Sequence, residues 1–246
     1  MTKSTRSATI LMLSLGVLVL AAPSWAQTRP PEVEQLAKTY GLDSYGQIEA
    51  VRYTFNLDLP AFKLSLSHSW TWEPKTGQVT YETKDKDGKP VKVTYNRSQL
   101  NNAPANVKDE IEPAFVNDNY WFIFPFHAYW DTSATVTVKD KQKLPIGQGT
   151  AKLVSVKYPM EVGGYTPGDT WDLYVGKDGR IVQFVYHRGG PKKPSNVTTT
   201  WAGYKKGGPL LISTDHRGTA DGKPARVFFS NVAVKLVGSD TWMDAQ

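Results

Sequence analysis

The chain has 246 residues, no cysteine and a formal net charge of +6 at pH 7. Without cysteine there can be no disulfide, no thiol nucleophile and no lipid attached to an N-terminal cysteine. The basic residues are scattered through predicted turns rather than gathered in a stripe, which argues against nucleic acid as a partner. The length suffices for one domain with a sizeable core.

Residues 1–26 have the layout of a secretory signal peptide. Lys3 and Arg6 supply positive charge, and an apolar run follows from Ile10 to Ala22. That run is shorter than the roughly 20 residues that a membrane-spanning helix needs. We therefore predict cleavage after position 26, a periplasmic location, and a single mature domain, 27–246, with no transmembrane segment.

A short helix is predicted at the start of the mature chain. Val33, Leu36 and Ala37 recur at helical spacing between Pro31 and Thr39, and Gly41 follows as a stop signal. Such a helix buries one face only.

The pattern then changes to the period of two that is typical of half-buried strands. It is clearest over residues 62–73, after an extended segment at 48–59. The alternating large side chains are Phe62, Leu64, Leu66, His68, Trp70 and Trp72. Turn sequences at 74–77 and 85–88 predict hairpins to further strands at 78–83 and 91–95.

The stretch 98–131 interrupts the β pattern. It contains seven aromatic residues between Tyr120 and Trp130, with Pro125 in their midst. Because proline interrupts helices, we expect short helices that form a lid. One short helix is not expected to bury so many aromatic side chains, and the surplus predicts an exposed apolar contact patch.

Further strands are predicted at 132–138, 151–157, 170–175, 181–186, 197–204, 210–216 and 226–236. About ten or eleven short strands joined by hairpins indicate a mostly β fold. The predicted architecture is a single strongly curved antiparallel sheet, or open half-barrel, with an N-terminal helix and a helical, aromatic lid insert.

This order of elements, together with the strands that contain Trp70-Thr71-Trp72 and Asp172-Leu173-Tyr174-Val175, resembles the periplasmic lipoprotein-carrier (LolA/LolB-like) superfamily. The resemblance spans roughly residues 31–236. It implies a non-enzymatic carrier whose apolar sheet face holds acyl chains beneath the inserted helices. No individual binding residue of the family transfers to this chain.

The aromatic residues are the ligand-binding candidates. Their rings can line a site for a lipid-like or other hydrophobic molecule, although the same residues can form the core. The candidates are Trp70 and Trp72 on the strand and Trp121, Phe122, Phe124, Phe126 and Trp130 in the insert. The first hypothesis is thus a periplasmic binding or carrier protein that needs no cofactor. Replacing Trp121 and Phe124 with alanine should weaken ligand retention and leave the fold near intact.

Two alternatives stay open. The first is a secreted hydrolase or isomerase that uses His127, His187 or His216 as acid/base beside a carboxylate such as Asp172 or Asp215. The histidines lack metal-ligand spacing, so no metal site is predicted, and no nucleophile or nucleotide motif is present. The second alternative is a subunit that docks on an envelope protein complex through the aromatic patch.

Overall fold

The computed structural model describes residues 29–161, 165–191 and 193–246, so the predicted signal peptide lies outside the described residues. The two helices and thirteen strands are α1 (Pro31–Thr39), β1 (Ile48–Leu59), β2 (Leu64–Glu73), β3 (Gln78–Lys84), β4 (Pro90–Asn96), α2 (Glu112–Trp130), β5 (Thr135–Lys143), β6 (Thr150–Lys157), β7 (Thr170–Val175), β8 (Ile181–His187), β9 (Asn196–Thr200), β10 (Ala202–Gly207), β11 (Leu210–Ala220), β12 (Lys223–Leu236) and β13 (Trp242–Asp244).

Helix α1 has the predicted bounds. Val33, Leu36 and Ala37 form its buried face. The chain leaves the helix through Gly41, whose φ is 108°. A Cβ atom there would lie 2.6 Å from the carbonyl oxygen of Pro209, so glycine is required both by the backbone angle and by the space.

All strands pair antiparallel in one sheet with the order β4-β3-β2-β1-β12-β11-β9-β8-β7-β6-β5, and β10 and β13 pair with β11 and β12. The mostly antiparallel β fold predicted from the sequence is confirmed. The sheet is not one continuous meander, however, because β12 pairs with β1 from Ile48↔Leu236 to Asp58↔Arg226. Turn sequences specify neighbouring hairpins and carry no signal for this long-range pairing.

The sheet curls around α2. The Tyr95 hydroxyl on β4 donates to Glu112, and the ring of Tyr120 lies 5.9 Å from that of Tyr158, just beyond β6. Glu112 and Tyr120 are separated by about 12 Å along a helix axis. In a flat sheet β4 and β6 would lie about 43 Å apart. Side chains cannot bridge that difference, so the strands wrap around the helix, and the unpaired edges β4 and β5 leave the sheet open.

The insert forms one helical stretch with no loop inside it, and a kink at Ile123, two residues before the expected break at Pro125, divides it into two pieces. A π-helical turn at Val107–Ile111 runs directly into α2, which continues through Pro125 with a kink at Ile123 (φ −128°, ψ 31°). Proline removes one backbone hydrogen bond and bends the helix, and packing of the helix on the sheet compensates. Most of its aromatic side chains are buried, so the expectation of an exposed aromatic patch on the insert is wrong.

Two strand predictions also need correction. The segment predicted as one strand at 197–204 is divided into β9 and β10 at Trp201, whose side chain is buried. Phe62 lies in a 3-10 turn before β2, because the chain reverses at Lys63 with φ 51°. Strand β13 was not expected from the sequence.

Candidate functional site

The face of the sheet that α2 covers is here called the inner face, and on β2 its side chains are apolar except for His68. On β2 the inner face carries Trp70 and Trp72, which are 2% and 8% exposed. It continues past the helix to Leu66, which is half-buried, and to Leu64, which is 43% exposed. Helix α2 therefore covers only part of this face.

Beneath α2 the inner face is filled by the protein's own rings. Phe122 stacks on Tyr53 at a centroid distance of 4.1 Å, and Phe124 stacks on Trp171 at 4.3 Å. Trp121 meets Phe184 edge-on at 4.8 Å. Contacts this close leave no room for a ligand between helix and sheet, so this part of the inner face, here called the sealed region, is core.

Two buried carboxylates tie the first half of α2 to the sheet. Asp118 accepts hydrogen bonds from His68 Nδ1 and Trp70 Nε1, both at 2.8 Å. Glu112 accepts from the Tyr95 hydroxyl at 2.6 Å and from Arg97 Nε at 2.9 Å. Because a carboxylate is costly to bury without partners, these contacts favour the closed position of the helix.

The second half of α2 ends at another polar cluster. Asp131 accepts from the hydroxyls of Tyr120 and Tyr158, each at 2.7 Å, and His127 Nδ1 lies 3.4 Å from it. Burial alone would raise the pKa of Asp131, but His127 and the two hydroxyls outweigh burial and lower the pKa. Arg29 donates to the backbone carbonyls of Ala128 and Asp131. The charged form of Asp131 therefore anchors this end of the helix.

The ligand candidates predicted from the sequence lie together in or beside the sealed region. Six of them are buried: Trp70, Trp72, Trp121, Phe122, Phe124 and Phe126. Trp130 is half-buried and packs on Phe126 at 5.3 Å and on Tyr45 at 4.7 Å. A ligand can reach these rings only if α2 moves away from the sheet.

An open groove lies on the inner face at the β5 edge of the sheet, between α1 and the strands β5, β6 and β7. Its volume is about 920 Å³. Leu36 of α1 forms one wall, and Val154 and Val175 form the apolar floor. Lys152 stands in the groove with its Nζ 3.8 Å from carboxylate oxygens of both Glu32 and Asp140.

The residues of the enzyme alternative do not converge on one site. His187 Nε2 lies 3.1 Å from Asp172 on neighbouring strands, and this contact raises the pKa of His187. His216 is completely buried, and burial lowers its pKa to about 3, so it is neutral at pH 7 and out of reach of a substrate. Asp215 is held by Arg217 and Arg226, each at 2.7 Å. His127 belongs to the Asp131 cluster.

Within the described residues, no three histidine or carboxylate side chains are placed to hold a metal ion. Over the same part of the chain, no helix is both long and apolar enough to cross a membrane.

Sequence reasoning missed the groove beside α1. Its apolar residues come from helix α1 and from strands β6 and β7, which follow α1 by more than a hundred residues. In its own element, each of these residues fits the pattern of a core position. Only the long-range pairing of the sheet brings them together. The uncovered stretch of β2, by contrast, follows from the alternation that the sequence does show.

No family model matches the chain, and no curated protein matches it. Solved structures do show similarity. A DUF1329 family protein from Desulfovibrio piger has 9% sequence identity and a TM-score of 0.44, with 85% of this chain and 94% of that chain covered. A putative outer membrane lipoprotein-sorting protein domain from Vibrio parahaemolyticus has 11% identity and a TM-score of 0.43, with 85% and 95% covered.

A LolA superfamily protein from Nitrosomonas europaea has 7% identity and a TM-score of 0.42, with 82% of this chain and 91% of that chain covered. The resemblance expected from the sequence is thus confirmed as a similarity of overall architecture at low sequence identity. It assigns no role to any residue of this chain.

Proposed function

We propose that the protein is a non-enzymatic binding or carrier protein for a lipid-like or other hydrophobic ligand, and that it works in the periplasm. The observation that carries this proposal is the groove of about 920 Å³ beside α1. Ligand sites in proteins typically enclose about 300–1,000 Å³ and have mostly apolar walls with a few polar groups. The groove falls within this range of volume, and its lining combines five apolar residues with the charged residues Glu32, Asp140, Lys141, Lys152 and Lys177.

The walls of the groove suit an elongated apolar molecule. Pro31 is exposed and Ala151 and Val175 are half-buried, so these residues offer apolar contact, whereas Leu36 and Val154 lie beneath the surface at 2% and 1% exposed. Each methylene group that a ligand buries there contributes about 0.8 kcal/mol, against an association cost of several kcal/mol. A chain of about ten methylenes is thus long enough for useful affinity, and acyl chains, including those of lipoproteins, have this chemistry.

The first test is native mass spectrometry, with lipid extraction, of the protein purified from its own periplasm without detergent. A bound mass that disappears on denaturation and extracts into organic solvent supports the carrier proposal and identifies the ligand. A clean mass of the free protein instead favours the enzyme or docking alternatives.

A matched pair of variants on α1 tests the groove itself. Gln35 is exposed and lines the groove, whereas its neighbour Glu34 is exposed and does not. Gln35→Trp should lower the affinity for sodium laurate, measured by titration calorimetry, by about tenfold, because an indole ring displaces two or more buried methylenes. Glu34→Trp should leave the affinity unchanged. Equal affinities in the two variants would exclude the groove as the ligand site.

A further inference from the structure

Exposed apolar side chains are concentrated at one end of the sheet. This end, here called the turn end, is formed by the β1–β2, β3–β4, β6–β7, β8–β9 and β11–β12 connections. Of the six large apolar side chains that are exposed among the described residues, four lie there: Phe62 (61%), Leu64 (43%), Met160 (52%) and Tyr165 (48%). Of the other two, Val237 (54%) lies at the opposite end and Val182 lies within β8.

Two of these connections have backbone contacts among the described residues. Phe62 sits in a 3-10 turn that Pro60 begins, and Lys63 ends that turn with its N–H bonded to the Pro60 carbonyl at 3.1 Å. In the β6–β7 connection, Gly168 packs so closely on Gly189 that a Cβ atom on Gly189 would lie 2.1 Å from the Gly168 carbonyl. The Phe62 side chain therefore projects from a hydrogen-bonded turn, and the described end of the β6–β7 connection packs on the β8–β9 connection.

Exposed basic side chains surround this apolar set. Lys63 follows Phe62 directly, and the β1–β2 turn contains no acidic residue. The other exposed basic residues at or next to the described turns are Lys84, Lys86, Lys89, Lys157, Arg188, Lys193 and Lys223, and the exposed acidic residues there are Asp85, Asp87, Glu161 and Asp221. Two acidic residues of the same turns accept hydrogen bonds from backbone N–H groups. Asp85 accepts from those of Asp87 and Lys89, and Asp221 accepts from that of Asn196.

We infer that the turn end docks on an anionic lipid surface. Phe62 and Met160 would enter the boundary between headgroups and acyl chains, and Lys63 beside Phe62 and the other basic residues of the turn end would pair with the anionic headgroups. The net charge is +6 for the full sequence and +4 without Lys3 and Arg6 of the predicted signal peptide, and this positive charge favours the approach of the mature chain to such a surface. This inference goes beyond the ligand proposal, because it concerns the opposite end of the strands from the groove.

Vesicle sedimentation with no added ligand tests the inference. The mature protein should bind vesicles made of equal parts phosphatidylglycerol and phosphatidylethanolamine and should not bind pure phosphatidylcholine vesicles, and added salt should release it. Phe62→Ser should weaken binding about tenfold or more, because it removes a large inserted side chain. Lys63→Glu should weaken it at least about fivefold through charge reversal.

Val237→Ser is the matched control, because it removes an equally exposed apolar side chain at the opposite end. It should leave vesicle binding unchanged. Equal binding by the Phe62→Ser and Val237→Ser variants overturns the inference, as does equal binding of the wild type to both kinds of vesicle. A third outcome is that the wild type self-associates but does not bind vesicles, and that Phe62→Ser abolishes the self-association. That outcome would assign the surface to a second copy of the chain and would also overturn the inference. None of these outcomes alters laurate binding in the groove, so the two proposals can fail separately.

Discussion

Two regions of the inner face differ in what occupies them. The sealed region beneath α2 is filled by rings such as Phe122 and Phe124 and tied down by the ionic contacts of Glu112 and Asp118. The groove beside α1 has a floor of small aliphatic residues and is open. A high density of aromatic residues along the sequence therefore marks the core of this protein rather than the space available to a ligand.

Burial in the sealed region also changes the expected effect of alanine substitutions there. The sequence suggested that alanine at Trp121 and Phe124 would spare the fold, but Phe124 is completely buried and Trp121 is 6% exposed. Any loss of ligand retention in these variants would therefore be mixed with loss of stability. Variants in the groove are the cleaner probes of binding.

The largest effect is expected in the sealed region. Phe122→Ala removes a buried ring that stacks on Tyr53 and should lower the free energy of unfolding by about 3–5 kcal/mol. Val175→Ala on the half-buried floor of the groove should lower it by about 1 kcal/mol or less. Urea denaturation of both variants measures the difference. Similar losses at the two positions would mean that the groove is packed as tightly as the region beneath α2.

Local features of the fold could be predicted from the sequence. Helix α1 and the strands β1 and β7 have the bounds that periodicity and turn residues indicate. Features set by distant contacts could not. The pairing of β12 with β1 and the continuity of α2 through Pro125 depend on packing across the whole sheet. The groove depends on the same long-range pairing, whereas the inner face of β2 is visible in the alternation alone.

A smaller effect is expected on the pH dependence of stability, through a titratable group in the buried interior. His216 lies against Trp201 at a centroid distance of 4.1 Å, and burial lowers its pKa from 6.5 to about 3. The unfolded chain therefore binds more protons than the folded one between these values. The stabilisation is fully present above pH 6.5 and is lost as the pH falls toward 3, at up to about 1.4 kcal/mol per pH unit.

The variant His216→Leu removes the titrating group and keeps an apolar side chain against Trp201. It should be less stable than the wild type at neutral pH, because Ser213 Oγ loses its hydrogen bond with His216 Nε2 and keeps only the one it donates to the Ala202 carbonyl. Its stability should fall less steeply as the pH drops below 6.5. Urea denaturation at a series of pH values measures the two slopes, and parallel slopes would show that His216 does not titrate with unfolding.

The smallest effect is expected for His187, which differs from His216 in both exposure and sign. His187 is 42% exposed, and its hydrogen bond with Asp172 raises its pKa above 6.5. Its stabilisation is therefore present below pH 6.5 and disappears as the pH rises through the pKa of the folded state. For an exposed pair the contribution is at most about 1 kcal/mol. His187→Ala should cost that much in mildly acidic buffer and nothing in alkaline buffer, and Asp172→Asn should reproduce the pattern. A loss in His187→Ala that persists in alkaline buffer would mean that this histidine contributes through packing, as His216 does, rather than through its charge.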